Sequence, residues 1–549
     1  MVYDLRNEGW IPYQRRSGRV EWGRPSLIAD GIASDDPVIA FGSGRADFDG
    51  ALAEFMIGLL AAVMAPANED EWLKHYNTPP TVSELDRFFA TLPDAFNLVG
   101  PGPRFLQDFS VEAFASEPPG PVEQLLIEAA GDQTIGNNAD LFTKRERFAA
   151  LSPQAAAMTL LTLQTYAPGG GKGHRTSMRG GGPLTTLADP RRGDAESGLS
   201  PEQQPLWHLL WANVPTRDAS VDSKTEAAAL FPWLAPTRTS EKDRATTPGD
   251  AQRLQAFFAM PRRIRLDVAP AGQCALLGIE APFTIDGYRA RPYGVKYEGW
   301  YHPLSPYYLS TNQWLPVHGQ PGGIGWRDWY GYALNGGSED TRVAECVREF
   351  GVRRARLLGS SEFTLRAFGY DMDNMKARSW IAGSMPAFAV SAESQRLIVE
   401  VSRSCTALVD LLSSLLNGCI RRSLYPSEDA KPDVTAWRAA LWGATEQAFY
   451  SCIRELGRAE DITDKERADL LRHFYEGAAK VAREIFKDAC PMEGLSHDRL
   501  KRTVDQRFTL EMMMRGHGPM GKKLFGTIGI QPPKAKKEAS KSKKPGKTK

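Results

Sequence analysis

Gly169-Gly-Gly-Lys-Gly-His-Arg-Thr-Ser-Met-Arg-Gly-Gly-Gly182 bears on the fold through the two loops it fails to be. Seven of its fourteen residues are glycine, with Lys172, Arg175 and Arg179 between them. A phosphate-binding P-loop needs Gly-Lys followed by Ser or Thr, but Gly173 follows Lys172. The dinucleotide pattern G-x-G-x-x-G fails from both Gly169 and Gly171, where His174 and Thr176 stand in the third glycine's place. Both motifs also require a preceding strand. Here Ser152 reads as an N-cap and Pro153 as the first residue of an Ala/Leu-rich helix reaching Tyr166. Ordering so much glycine is entropically costly. A loop of this kind suits close backbone approach to a ligand, and its basic residues point to a polyanion. A flexible surface linker is the plainer alternative.

Outward from this loop, the 549-residue chain is 42% hydrophobic and 10% aromatic, enough for about three to four domains or two large ones. No run approaches about 18 uninterrupted apolar residues, so no membrane span is expected. The N-terminal residues have no apolar signal region, and the expected location is cytoplasmic. Six scattered Cys without a C-x-x-C pair fit a reducing compartment. Net charge is +1, but residues 531–549 hold eight Lys and one Glu; the rest has 59 basic against 65 acidic residues, a net −6. The body is thus not a globally basic nucleic-acid binder. The tail reads as disordered, either solubilising or attracting nucleic acid nonspecifically.

Short strand-like runs surround Trp10, 20–22 and 38–41, and an apolar helix covers 48–64. Thr81-Val-Ser-Glu84 is a capping box opening a helix to Thr91. Residues 122–130 read as helix, and 131–140 as a polar segment. Between 264 and 370, strand-like pieces rich in Val, Tyr, Trp and Phe alternate with turns and one helix near 338–350. The aromatics Trp300, Trp314, Trp326 and Trp329 read as sheet core. After Pro386 four amphipathic segments follow, at 391–417, 432–456, 464–488 and 496–515. The first is expected to end at Gly418, and Thr463-Asp-Lys-Glu466 caps the third. The expected fold is α+β: a mixed domain over 1–385, an antiparallel four-helix bundle over 386–520 and a disordered basic tail over 521–549.

Chemistry-bearing motifs are few. The eight His make no H-E-x-x-H pattern, no G-x-S-x-G elbow occurs, and neither a metal nor a catalytic residue is expected. In Phe368-Gly-Tyr-Asp-Met-Asp-Asn-Met-Lys376, alternation over 363–370 followed by Asp-Met-Asp-Asn reads as strand, turn and strand. It is an ordinary hairpin tip, or one that enters a groove with Asn374, Met375 and Lys376, a polar side chain reading or replacing a base edge and Met375 wedging between bases. Asn137-Asn138-Ala-Asp-Leu-Phe142 is a polar loop whose Phe142 either joins the core or stacks on an unpaired base. The residues alone leave open a phosphohydrolase and a helical-bundle interaction scaffold.

Taken in order, the motifs resemble the CasA family, the large subunit of the type I-E CRISPR surveillance complex, Cascade. Asn7-Glu-Gly-Trp-Ile-Pro12 resembles the family's Asn-x-Trp-Ile-Pro start. Pro168-Gly-Gly-Gly with Met178-Arg-Gly-Gly-Gly-Pro-Leu-Thr-Thr186 resembles its glycine loop and the run that follows. Tyr301-His-Pro-Leu-Ser-Pro306 resembles a His-x-His-Ser-Pro region, and the 368–378 segment resembles its wedge hairpin. The resemblance spans about residues 5–520. It implies a non-catalytic, cofactor-free subunit that reads the protospacer-adjacent motif of double-stranded target DNA from the minor groove. Such a subunit starts strand separation for the guide CRISPR RNA, joins other Cascade subunits and recruits a separate nuclease-helicase.

Carried over by position, Gly169, Gly170, Gly171 and Lys172 fall in the motif-touching loop, with Arg291 near a basic DNA contact. Asp373, Asn374 and Met375 fall at the wedge; Asn137, Asn138 and Phe142 fall near the loop holding the guide's 5′ handle. The chain departs from the family at four places. Lys172 stands for a Gly and Asn374 for a Gln. Thr311-Asn312 stands near the family's paired Lys. A Cys cluster of some members is reduced to Cys274, so no zinc is expected.

Overall fold

The computed structural model describes residues 1–110, 114–140, 144–171, 173–218, 226–334, 340–373, 376–427, 432–458 and 462–531. The chain divides into two compact units. One comprises 1–324 and 331–391; the other comprises 325–330 and the chain from 392.

The first unit is built around two nearly all-apolar helices, α1 (Ala46–Met64) and α4 (Pro153–Tyr166). Both are buried on almost every face, as expected for core helices rather than half-solvated ones. Ser152 accepts from the Ala155 N–H and Pro153 sits at the first helical position, as the sequence indicates. Between them lie α2 (Glu69–Asn77), capped by Asn68, and α3 (Val82–Phe89), whose capping box Thr81/Glu84 is present. The short helix α5 (Leu206–Ala212) carries two buried Trp.

Small antiparallel sheets surround this core. Strands β1 (Ile11–Arg15), β2 (Val20–Gly23) and β3 (Val38–Phe41) pair in the order β2-β1-β3. Strand β5 (Arg263–Ala269) pairs with β6 (Thr284–Arg291). Strands β7 (Tyr307–Ser310) and β8 (Gln313–Pro316) form a hairpin turned by Thr311 and Asn312, both with positive φ, as a two-residue turn of this hand requires. The longest pair is β9 (Glu362–Asp373) and β10 (Lys376–Phe388), with β4 (Thr185–Asp189) on the other edge of β9.

The second unit is the expected bundle: α6 (Ala392–Leu424), α7 (Thr435–Arg458), α8 (Asp464–Ala489) and α9 (His497–Met514). Helices α8 and α9 run antiparallel: Arg483 pairs with Glu511 at 2.8 Å, and Tyr475 meets the Met514 carbonyl. The Thr463/Glu466 capping box opens α8.

Several expectations are corrected. Helix α6 runs through Gly418 to Leu424, because Leu415, Leu416, Cys419 and Ile420 carry its buried stripe across the glycine. A fifth helix, α10 (Gly518–Thr527), crosses from the expected bundle into the start of the expected tail; Leu524 and Ile528 are buried and Phe525 meets Tyr475 edge-on. Residues 532–549 lie outside the described residues. Pro386 is no domain boundary but part of β10, an edge strand, where proline is tolerated.

Residues 122–130 are not a helix but a 3₁₀ turn, Val122–Leu125. Leu125, Leu126 and Ile127 are buried in succession at its end, a run that does not fit a helix with a single buried face. The helix expected near 338–350 begins at Glu345, after Thr341–Arg342 pairs with β7, and the helical course continues to Leu357. Asp132–Gly136, within the polar segment, is one helical turn. Trp326 and Trp329 are not sheet core. Trp326 is buried in the helical unit, stacked on Phe449 at 4.4 Å and donating to the Trp442 carbonyl at 2.8 Å. Trp329 meets Phe449 edge-on.

Candidate functional site

Helix α4 ends at Tyr166 and the glycine loop leaves it as two arms of different character. In the outgoing arm, Gly170 and Gly171 are exposed and Gly169 is half-buried; Lys172 lies outside the described residues. A tight turn closes this arm, with the His174 N–H donating to the Gly171 carbonyl at 2.8 Å. Gly171 has φ of +64°, and a Cβ there would meet nothing within 4 Å.

The return arm is buried. The Ser177 N–H donates to the Ala167 carbonyl at 3.0 Å and the Gly182 N–H to the Tyr166 carbonyl at 3.2 Å, closing the loop's neck. Gly182 has φ of +63°, yet a Cβ would stand 2.8 Å from the Tyr370 carbonyl oxygen and 2.7 Å from the Met372 side chain. Only glycine fits both the conformation and the approach.

Arg179 fixes this arm through a buried polar cluster. Its guanidinium donates to Glu54 of α1 at 2.6 Å, Thr185 of β4 at 3.0 Å and Ser305 at 2.9 Å. Tyr166 and Thr185 each donate to the other Glu54 oxygen at 2.6 Å. Burial, reinforced by the Glu54 charge, pushes the Tyr166 phenol far above its ordinary range. His302 of the Tyr-His-Pro-Leu-Ser-Pro run lies 3.7 Å from Glu54; burial and the Arg179 charge drive its pKa well down, keeping the ring neutral. His318 is lowered by burial too and donates from Nε2 to the Arg179 carbonyl at 2.9 Å. A charge pair buried this deeply persists because Tyr166, Thr185 and Ser305 supply hydrogen bonds to it.

The same framework carries the hairpin. Trp380 of β10 packs edge-on against Tyr166 at 5.2 Å and Tyr370 at 5.0 Å, and Tyr370 donates to Asp47 of α1 at 2.7 Å. The strand continues through Asp371-Met372-Asp373, where the sequence reading placed the turn; Asp373 pairs in register with Lys376. Asp371 is buried, in register with Ser379, and held by Arg378 at 2.7 and 3.0 Å. Asp373 is exposed, 3.6 Å from Arg378. Asn374 and Met375 lie outside the described residues.

Arg291, at the end of β6, is one-third exposed, with its Nε 3.2 Å from Glu117 in an ion pair lacking hydrogen-bond alignment. Its neighbours touch the glycine loop: the Tyr293 N–H donates to the Gly173 carbonyl at 3.0 Å. Tyr293 is half-exposed and has φ of +60°, a left-handed conformation that costs an aromatic residue energy and clusters at functional sites. Nothing in the local sequence signals it. Arg262 was also missed. It donates to the Pro168 carbonyl and to the Arg175 carbonyl at 3.2 Å, tying the loop's two arms; burial pulls its guanidinium down to about 10, still protonated at neutral pH. The charge run Pro261-Arg-Arg-Ile-Arg265 could have flagged it.

Asn137 and Asn138 stand apart from this cluster in the contacts they make. Asn137 caps the one-turn helix, and Asn138, with φ of +49°, accepts from Arg145 at 3.1 Å. Arg145 also grips Asp140 at 2.6 and 2.7 Å. Both Asn are exposed, and Phe142 lies outside the described residues.

A sequence model of the family described as CRISPR-associated protein Cse1 matches residues 4–485. The fold is similar to a crystal structure of CasA from Thermus thermophilus, with a TM-score of 0.67 at 16% identity over 95% of this chain and 99% of that one. The CRISPR-associated protein Cse1 from Acidimicrobium ferrooxidans matches with 0.67 at 15% identity over 96% and 99%. A chain of a structure described as a CRISPR RNA-guided surveillance complex matches with 0.64 at 16% identity over 93% and 99%. At these identities the likenesses concern the fold.

Proposed function

The chain belongs to the Cse1 family of CRISPR-associated proteins, and on that premise we propose that it is the large subunit of an RNA-guided Cascade complex. In this reading it recognises the protospacer-adjacent motif in duplex DNA, begins target unwinding and recruits a separate nuclease-helicase. The chain breaks no bond itself.

One observation carries the reading. The exposed glycine tip and the β9–β10 hairpin rise from one buried framework, joined where Gly182 sits against Tyr370 and Met372. Gly170 and Gly171 present backbone without side chains, which suits a narrow minor groove. Base edges there distinguish A·T from G·C and little more, so backbone contact gives a permissive motif. Tyr293 and Arg291 flank that tip, the arginine exchanging Glu117 for phosphate. Asp373, Asn374 and Met375 at the hairpin end act as the wedge; partial unstacking there costs a few kcal/mol, returned when the guide RNA pairs. Asn137, Asn138 and Phe142 hold the guide's 5′ handle. Lys172 adds a phosphate contact beside the tip.

The test uses the assembled complex with motif-bearing duplex and with the same target already melted. Tyr293→Ala and Asn374→Ala are each expected to weaken duplex binding about tenfold or more and to spare the melted target. Equal losses on both substrates contradict the reading.

A further inference from the structure

The first unit contains a second concave feature that this reading does not use. It is a cavity of about 330 Å³ at the end of β4, walled by Tyr76 of α2, His208 of α5, Arg191, Arg192 and Ser360. That volume is at the small end of ligand sites, which run from about 300 to 1,000 Å³.

Its two arginines differ. Arg191 is buried and fully committed: it grips Asp189 through two bonds of 2.9 and 3.0 Å and donates to the Ile39 and Gln204 carbonyls at 3.2 Å each. Arg192 is exposed. Its Nη2 meets Ser360 Oγ and the Glu362 carbonyl, and among the described residues no carboxylate pairs with it. Two carboxylates on neighbouring segments are already engaged, Asp189 by Arg191 and Arg366, and Glu202 by Arg366 at 3.3 Å. Arg192 is therefore a cation at the cavity that nothing described neutralises.

The aromatic side of the cavity is equally defined. Tyr76 stacks on Trp72 at 5.1 Å, and His208 lies over Tyr76 at 4.7 Å. Burial pulls His208 down to about 4, so the ring is neutral at physiological pH and adds no charge to the wall. An uncharged aromatic wall of two tilted rings, beside a guanidinium that no described carboxylate pairs, matches a ligand with a planar heterocycle and an anionic group. Guanidinium favours phosphate through its forked donors, and a π-face accepts any base.

We propose that this cavity binds a nucleoside monophosphate unit, its base against Tyr76 and His208 and its phosphate on Arg192. The unit is the same whether it arrives as a free nucleotide or as an unpaired nucleotide of a single strand. The proposal is independent of the glycine loop and hairpin, none of whose residues line the cavity.

The test is calorimetric titration of the purified full-length chain with AMP, with a short single-stranded oligoadenylate and with inorganic phosphate. Saturable AMP binding is expected, weakened about tenfold by Arg192→Ala and by Tyr76→Leu. Arg192 is exposed and, among the described residues, outside any ion pair, so its variants are expected to keep the wild-type melting temperature; Arg192→Gln serves as a second check. Tighter binding of the oligonucleotide than of AMP, lost in the same variants, assigns the unit to a strand; equal binding assigns it to a free nucleotide; both support the site. Absence of saturable AMP binding overturns the proposal. So does phosphate binding as tightly as AMP, or an Arg192→Ala variant with unchanged affinity and fold.

Discussion

Gly171 and Gly182 share one backbone conformation, at φ of +64° and +63°, yet a side chain would meet open space at the first and the Tyr370–Met372 backbone and side chain at the second. The outgoing arm is open to solvent at Gly171, and the return arm is packed at Gly182. Conformation alone therefore does not tell an open glycine from a packed one; the surroundings do.

The largest expected effect lies in the return arm's buried cluster. Arg179→Met leaves Glu54 charged and unpaired, and removing one partner of a buried pair costs about 3–5 kcal/mol. Chemical denaturation of the purified chain measures it; a loss under about 1 kcal/mol would mean that the cluster does not hold the arm. Gly182→Ala comes next. It combines left-handed strain of about 1–2 kcal/mol with crowding of about 1–3 kcal/mol, whereas Gly171→Ala carries the strain alone. The difference between these two variants isolates the packing contribution at matched φ, and equal losses would erase the contrast.

Acid is the next lever. His302 and His318 are held below the ordinary 6.5 by burial. The unfolded chain therefore takes up more protons as pH falls through 6.5. Their neutral forms stabilise the fold above that pH, and the stability declines below it by at most about 1.4 kcal/mol per pH unit for each ring. Denaturation at pH 7.5 and 5.5 reads the slope. His302→Asn keeps an acceptor for the Leu304 N–H that His302 Nδ1 now satisfies, and it is expected to flatten that slope. The smallest stability effect is expected from deleting 532–549, which should leave the denaturation midpoint unchanged and reduce only salt-sensitive DNA binding.

Local signals carried much of the fold. The capping boxes at Thr81 and Thr463, Pro153 at the start of α4 and the alternation of 363–370 each became the element they indicate. What failed was non-local. Gly418 carries a helix-stop signal that two buried flanks override. Trp326 belongs to a core assembled from residues over 100 positions away. The Glu54–Arg179 pair joins residues 125 positions apart, and no local pattern announces such a pairing. At the candidate site the sequence named the loop and hairpin as segments. It could not separate the loop's arms, because Gly-Gly-Gly reads alike at 169–171 and 180–182. Nor could it show Tyr293, whose left-handed φ follows from tertiary placement.

The most direct test of the central claim is the ratio of affinities of the assembled complex for motif-bearing duplex and for pre-melted target, measured for Gly171→Ala. The account predicts that the ratio falls about tenfold or more while melted-target binding stays at the wild-type level. A ratio that does not change, or an equal loss on both substrates, would contradict the assignment of the exposed arm to duplex recognition.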